Sequence, residues 1–121
     1  MTHPRINPDE GSATDRVVFG FAFSLQRSPD AFLAMTETEL ATGVRGIIPE
    51  ASGDECRAAG FRVRVLVAAA LEVCDEFRKG RYGTGPGAER NAVAALARAA
   101  PGFSENEYAE AFAAGMRWTA F

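Results

Sequence analysis

The stretch Lys79-Gly80-Arg81-Tyr82-Gly83-Thr84-Gly85-Pro86-Gly87 holds the residue types that bind an anion. Glycines let backbone N–H groups approach a ligand closely, and Lys79 and Arg81 bring positive charge. A helix expected from about Ala88 turns the positive end of its dipole toward the same loop. These features nominate Lys79, Arg81, Gly83, Thr84 and Gly85 as a candidate site for a phosphate or carboxylate. No phosphate-binding fingerprint is complete, however. The Walker pattern needs Lys followed by Ser or Thr after its last glycine, and here Gly87 is followed by Ala88 and Glu89. The dinucleotide pattern follows a strand, whereas the residues before Gly80 have helical spacing. More simply, the glycines occupy left-handed positions in a connection between two helices.

Other chemistry is sparse. His3 is the only histidine and falls in a segment expected to be a tail, which leaves a hydrolase triad without its base. Lys79 is the only lysine and has no nucleophile placed beside it, so serine–lysine variants are excluded as well. Glu72, Asp75 and Glu76 could serve as acid, base or metal ligands only if a pocket gathered them. On one helix they read as a wet face, with Asp75 four residues before Lys79 as an ion pair. If the segment between Cys56 and Cys74 is one helix, the two are about 27 Å apart along it, beyond disulfide reach, and share one face as small core residues. No catalytic residue, metal site or cofactor is assigned, and an enzyme is the lesser expectation.

A partner surface has better material. Met116, Arg117, Trp118 and Phe121 combine the residue types enriched at protein interfaces. They form a candidate docking cluster for another protein or a second copy of the chain, unless the aromatics close the protein's own core. Nucleic acid is a poor fit. The net charge is −3, spread as −5 over residues 1–56, +4 over 57–98 and −2 over 99–121. The last two helices could imitate a helix-turn-helix, but the second begins Ser104-Glu105-Asn106-Glu107 and continues to Glu110, setting three carboxylates against a phosphate backbone.

The elements that position these groups are written plainly. Thr36–Glu39, Ser52–Glu55 and Ser104–Glu107 each place a hydroxyl three residues before a glutamate, the pattern of a reciprocal helix cap. Ser28-Pro29-Asp30 is a further start signal, with proline where a missing N–H does no harm. From the Ser52 cap to about Lys79, Cys56, Ala59, Val63, Leu66, Val67, Ala70, Val73, Cys74 and Phe77 recur at steps of three and four. Between Val65 and Leu71 the segment is apolar all round, which puts it in the middle of a bundle. Gly80 follows Arg78 and Lys79 as a terminating glycine. Ala92, Val93, Leu96 and Ala100 give a further inward face, and Tyr108, Ala111, Phe112, Gly115, Met116 and Trp118 give the last.

Two stretches keep a second period open. Phe19, Phe21, Phe23 and Leu25 alternate as a strand would, yet Val18, Phe21, Ala22 and Leu25 also suit a helix capped by Thr14 or Asp15; a helix is preferred because a lone strand would lack a partner. Phe61-Arg62-Val63-Arg64-Val65 alternates within the central helix in the same way.

The expected architecture is all-α: one helical domain over residues 13–121, preceded by a flexible tail at 1–12. Four longer helices and one or two short ones pack around a central buried helix at about 53–79. With no apolar run near the roughly 20 residues of a membrane span and no apolar leader, we expect a cytoplasmic protein. Twelve of the thirteen basic residues are arginine, which fits a bacterial source with a GC-rich genome. The function expected is a small interaction or regulatory domain whose partner is another protein or, as a homodimer, a second copy, with an anion binder at loop 80–87 as the alternative.

Overall fold

The computed structural model describes residues 12–23 and 28–120. Among these residues six helices run in the order α1 (Ala13–Phe23), α2 (Asp30–Leu33), α3 (Glu37–Arg45), α4 (Gly53–Arg78), α5 (Ala88–Ala99) and α6 (Glu105–Trp118). The architecture is all-α, with no strand among the described residues. Both ambiguous stretches are helical: Val17 to Phe23 lies in α1 and Phe61 to Val65 in α4. Of the tail expected at 1–12, all but Ser12 lies outside the described residues, as does Leu25.

All three reciprocal caps form. In each, the Thr36, Ser52 or Ser104 hydroxyl accepts from the N–H of Glu39, Glu55 or Glu107, and the glutamate accepts from the cap's own N–H. A fourth occurs at α1, where the Asp15 N–H donates to Ser12 Oγ at 3.1 Å and the Ser12 N–H donates to Asp15 Oδ2 at 3.0 Å. The cap of α1 is therefore Ser12, not Thr14 or Asp15, with an aspartate doing the glutamate's work. Gly80 ends α4 as its position suggests. Its φ is 81°, its N–H donates to Phe77 O, and the Arg81 N–H reaches back to Glu76 O, the paired bonds of a Schellman motif.

At the centre, α4 packs against α1, α3, α5 and α6. Its inner residues Cys56, Ala59, Val63, Leu66, Val67, Ala70, Val73 and Cys74 are buried, and Phe77 is half-buried. Two glycines allow the neighbours to come close. A Cβ at Gly60 would sit 2.6 Å from Leu40 Cδ2 on α3, and one at Gly115 would sit 2.6 Å from Cys74 Sγ and 2.9 Å from the Ala70 carbonyl oxygen. The α5–α6 corner is held by Tyr108, whose hydroxyl donates to Ala100 O at 2.6 Å and accepts from the Phe103 N–H at 3.3 Å. Phe103, turned inward at this corner, lies edge-on to Tyr108 with ring centroids 5.9 Å apart.

In one respect α4 departs from the sequence expectation. Val65 to Leu71 is not enclosed on every side: Ala68 is exposed, and Val65 and Leu71 are only half-buried. The reason is geometric. The α2–α3 corner meets α4 at Gly60 and Arg64, and the start of α1 meets it at Arg62. These contacts bracket the line Ala58, Phe61, Val65 and Ala68 without covering it.

Candidate functional site

The glycine loop has the backbone expected of it. Gly80, Gly83 and Gly85 all have positive φ (81°, 94° and 93°), and a Cβ at any of them would meet nothing within 4 Å. Gly80, Gly83, Thr84 and Gly85 line a shallow groove together with Phe77, Arg78, Ala88 and Met116. The nominated cations are not among its walls. Lys79 Nζ lies 3.1 Å from Asp75 and 3.9 Å from Glu76, and Arg81 Nη1 lies 3.1 Å from Glu76. The structure thus brings Gly83, Thr84 and Gly85 together, while Lys79 and Arg81 turn back onto the acidic last turn of α4. An incoming anion would have to compete with two carboxylates for both charges.

Arg78 does reach the groove, but it is engaged elsewhere. Its Nη2 donates to Met116 O at 2.7 Å and its Nε to Thr119 Oγ1 at 3.1 Å. The last carbonyls of a helix have no partner within it, and here a guanidinium from α4 supplies one to α6. Other arginines do similar work. Arg45 Nε donates to Ala51 O at 3.0 Å, bracing the α3–α4 connection. Arg64 donates to Met35 O at 2.8 Å and lies 5.7 Å above the Phe32 ring. Arg62 donates to Asp15 Oδ1 through Nη2 at 2.6 Å and Nε at 3.1 Å, pinning the start of α1 to α4. Arg62 and Arg64 are therefore struts, although the sequence shows them only as the polar members of the alternating stretch 61–65.

The C-terminal cluster divides. Trp118 stacks on Phe23, with ring centroids 5.3 Å apart and planes 21° from parallel, and so joins α6 to α1. Met116 is half-buried, Arg117 is exposed, and Phe121 lies outside the described residues.

Both cysteines are free and buried. They lie on the inner face of α4, as the eighteen-residue spacing implies. Cys74 Sγ donates to Phe112 O at 3.4 Å. Burial pushes its pKa up from 9.0 to about 11, with the Arg78 charge opposing, so the thiol is held protonated and inert. Among the described residues no three His, Cys, Asp or Glu side chains gather as a metal site would require, and no helix is long and apolar enough to cross a membrane.

The least economical surface is one that sequence reasoning passed over. Phe61 is 68% exposed at the middle of the most heavily packed helix. Ala58 and Ala68 are exposed on the same side, with Val65 half-buried between them. Helical spacing puts residues 58, 61, 65 and 68 on one line. Arg57 flanks this apolar strip at one end and Glu72 at the other. Arg57 lies 3.8 Å from Glu37 and also contacts Asp54. The Glu72 side chain makes no ion pair or hydrogen bond among the described residues. The only advance signal was the i, i+3, i+7, i+10 spacing of apolar residues opposite the main stripe.

Comparison with known proteins gives no match to a family model, to a curated protein or to a solved structure. What fold and site define together is a class: an all-α domain with an unpartnered apolar strip on its central helix.

Proposed function

We propose that this chain is a protein-interaction domain and that the outward strip of α4, centred on Phe61, is its docking face. One observation carries this: a phenylalanine 68% exposed within an apolar line on the helix that organises the core. Leaving that ring in water forgoes roughly 2 kcal/mol of burial, and the strip is rigid because α4 is braced from both flanks. Aromatic anchors on rigid elements, rimmed by charge, are the usual centres of binding energy. The sites expected from sequence have less support, since Trp118 is stacked on Phe23 and both loop cations are paired.

The test places a photo-crosslinking phenylalanine analogue at position 61. Irradiation is expected to yield a protein adduct through that position and none from the same analogue at Arg98, an exposed residue of α5. A folded protein that gives no adduct at 61 would remove the proposal. If phosphorylated metabolites raised the melting temperature, and Arg81→Ala abolished the rise, the activity would move to the glycine loop instead.

A further inference from the structure

We infer that the occupant of the α4 strip is a second copy of the chain, its α4 lying antiparallel across the first. This rests on the strip being the docking face and adds the identity of the partner.

The argument begins with charge order. Along the exposed side of α4, Arg57 precedes the apolar residues, and Glu72 and Asp75 follow them. A parallel pair would set like charges against like at both ends. Reversing one helix puts the basic end of each copy against the acidic end of the other, and the twofold makes the contact twice. Glu72 is the carboxylate without a partner, and Arg57 already stands among acids with its side chain 53% exposed. Asp54 and Asp75 come nearest each other at the outer ends, each beside its own cation, Arg57 and Lys79.

Shape agrees with this order. A twofold axis between Arg64 and Val65 brings Phe61 over the partner's Ala68 and Ala68 under the partner's Phe61. A large side chain meets a small one on both sides, so the helices can approach without a void. From Ala58 to Glu72 the strip is about 21 Å long. A strip of that length and one helix face wide buries less than the roughly 800 Å² per partner of a standard interface. The pair is accordingly weak, with a dissociation constant in the micromolar range or above, and depends on concentration and salt.

Sedimentation equilibrium of the full chain, taken to about 1 mM, should show monomer and dimer. Glu72→Arg should weaken the dimer at least tenfold, Arg57→Glu should do the same, and the double variant Arg57→Glu/Glu72→Arg should restore it. A second measurement reads orientation without relying on charge. Phe61→Cys mixed with Ala68→Cys should oxidise to the mixed disulfide in preference to either symmetric one; the native thiols stay silent because both are buried. A strict monomer at the highest concentration overturns the inference. So does a dimer indifferent to Glu72→Arg, a double variant that does not recover, or preference for the symmetric disulfides. A monomer whose position 61 crosslinks to a different protein ends the self-association proposal and leaves the docking face standing. Failure of every adduct ends both.

Discussion

Replacing Gly115 by alanine should destabilise the protein, whereas the same change at Gly20 should stabilise it. Both glycines sit inside helices, where alanine is ordinarily favoured by up to about 1 kcal/mol. At Gly20 an added methyl meets nothing within 4 Å, so a gain of about 0.5–1 kcal/mol is expected. At Gly115 it would lie 2.6 Å from Cys74 Sγ, 2.9 Å from the Ala70 carbonyl oxygen and 3.3 Å from its carbon. A thiol can swing aside, but the Ala70 carbonyl belongs to the backbone of α4, so the two helices must part. Overpacking of this kind costs about 1–3 kcal/mol, leaving a net loss of up to about 2 kcal/mol after the propensity gain. Gly60→Ala should fall between them, since its obstacle at 2.6 Å is the end of the Leu40 side chain. Urea denaturation of the three variants and the parent, with unchanged slopes, measures the differences. If Gly115→Ala matched or exceeded the parent, the close α4–α6 approach would be wrong and the packing of the core with it.

Three further outcomes are expected. Tyr108→Phe removes the hydroxyl that serves both Ala100 O and the Phe103 N–H, and thermal melts should show a loss of about 1–3 kcal/mol. Arg62→Met strips the partner from Asp15, whose side chain is only 4% exposed; it should cost about 1–3 kcal/mol in the same assay, against about 0.5 kcal/mol or less for Arg57→Met, whose ion pairs are in solvent. Because Cys74 has its pKa raised above 9.0 to about 11, the stability tied to its neutral form is fully present below pH 9.0 and is lost as pH climbs toward 11. That loss amounts to up to about 2 kcal/mol. Cys74→Ala should flatten this alkaline limb of the stability profile, and a thiol reagent at pH 8 should label neither native cysteine.

How much of this was legible varied with how local the cause was. The Thr36, Ser52 and Ser104 caps each depend on two residues three apart, and all three formed where the sequence put them. The Ser12 cap obeys the same rule with an aspartate in the glutamate's place, and the expectation that Thr14 or Asp15 caps α1 misses it. Residues 17–23 resisted a choice of period because α1 touches α3, α4 and α6; a helix buried on several sides loses the polar positions that reveal its repeat. The α4 strip left only a faint trace in the sequence, a second line of apolar residues at helical spacing. An all-apolar segment looks the same whether its last side is covered or open, and coverage depends on where the α2–α3 corner lands. The arginine struts were hidden for a related reason, since Arg64 and Arg78 donate to carbonyls 29 and 38 residues away in the chain.

Because α4 is contacted by α3 and α1 at residues 60–62 and by α6 at residues 70–78, it also acts as a ruler. Its length and angular phase fix how one half of the molecule is turned relative to the other. Dropping a single residue between Val65 and Ala69 would twist the two ends apart by about 100° and shorten the span by about 1.5 Å. Leu40 would then face a different side chain from Gly60, or Cys74 would swing away from Gly115. Insertions and deletions should therefore be tolerated in the connections and forbidden in this one stretch, however conservative the chemistry of the residue removed.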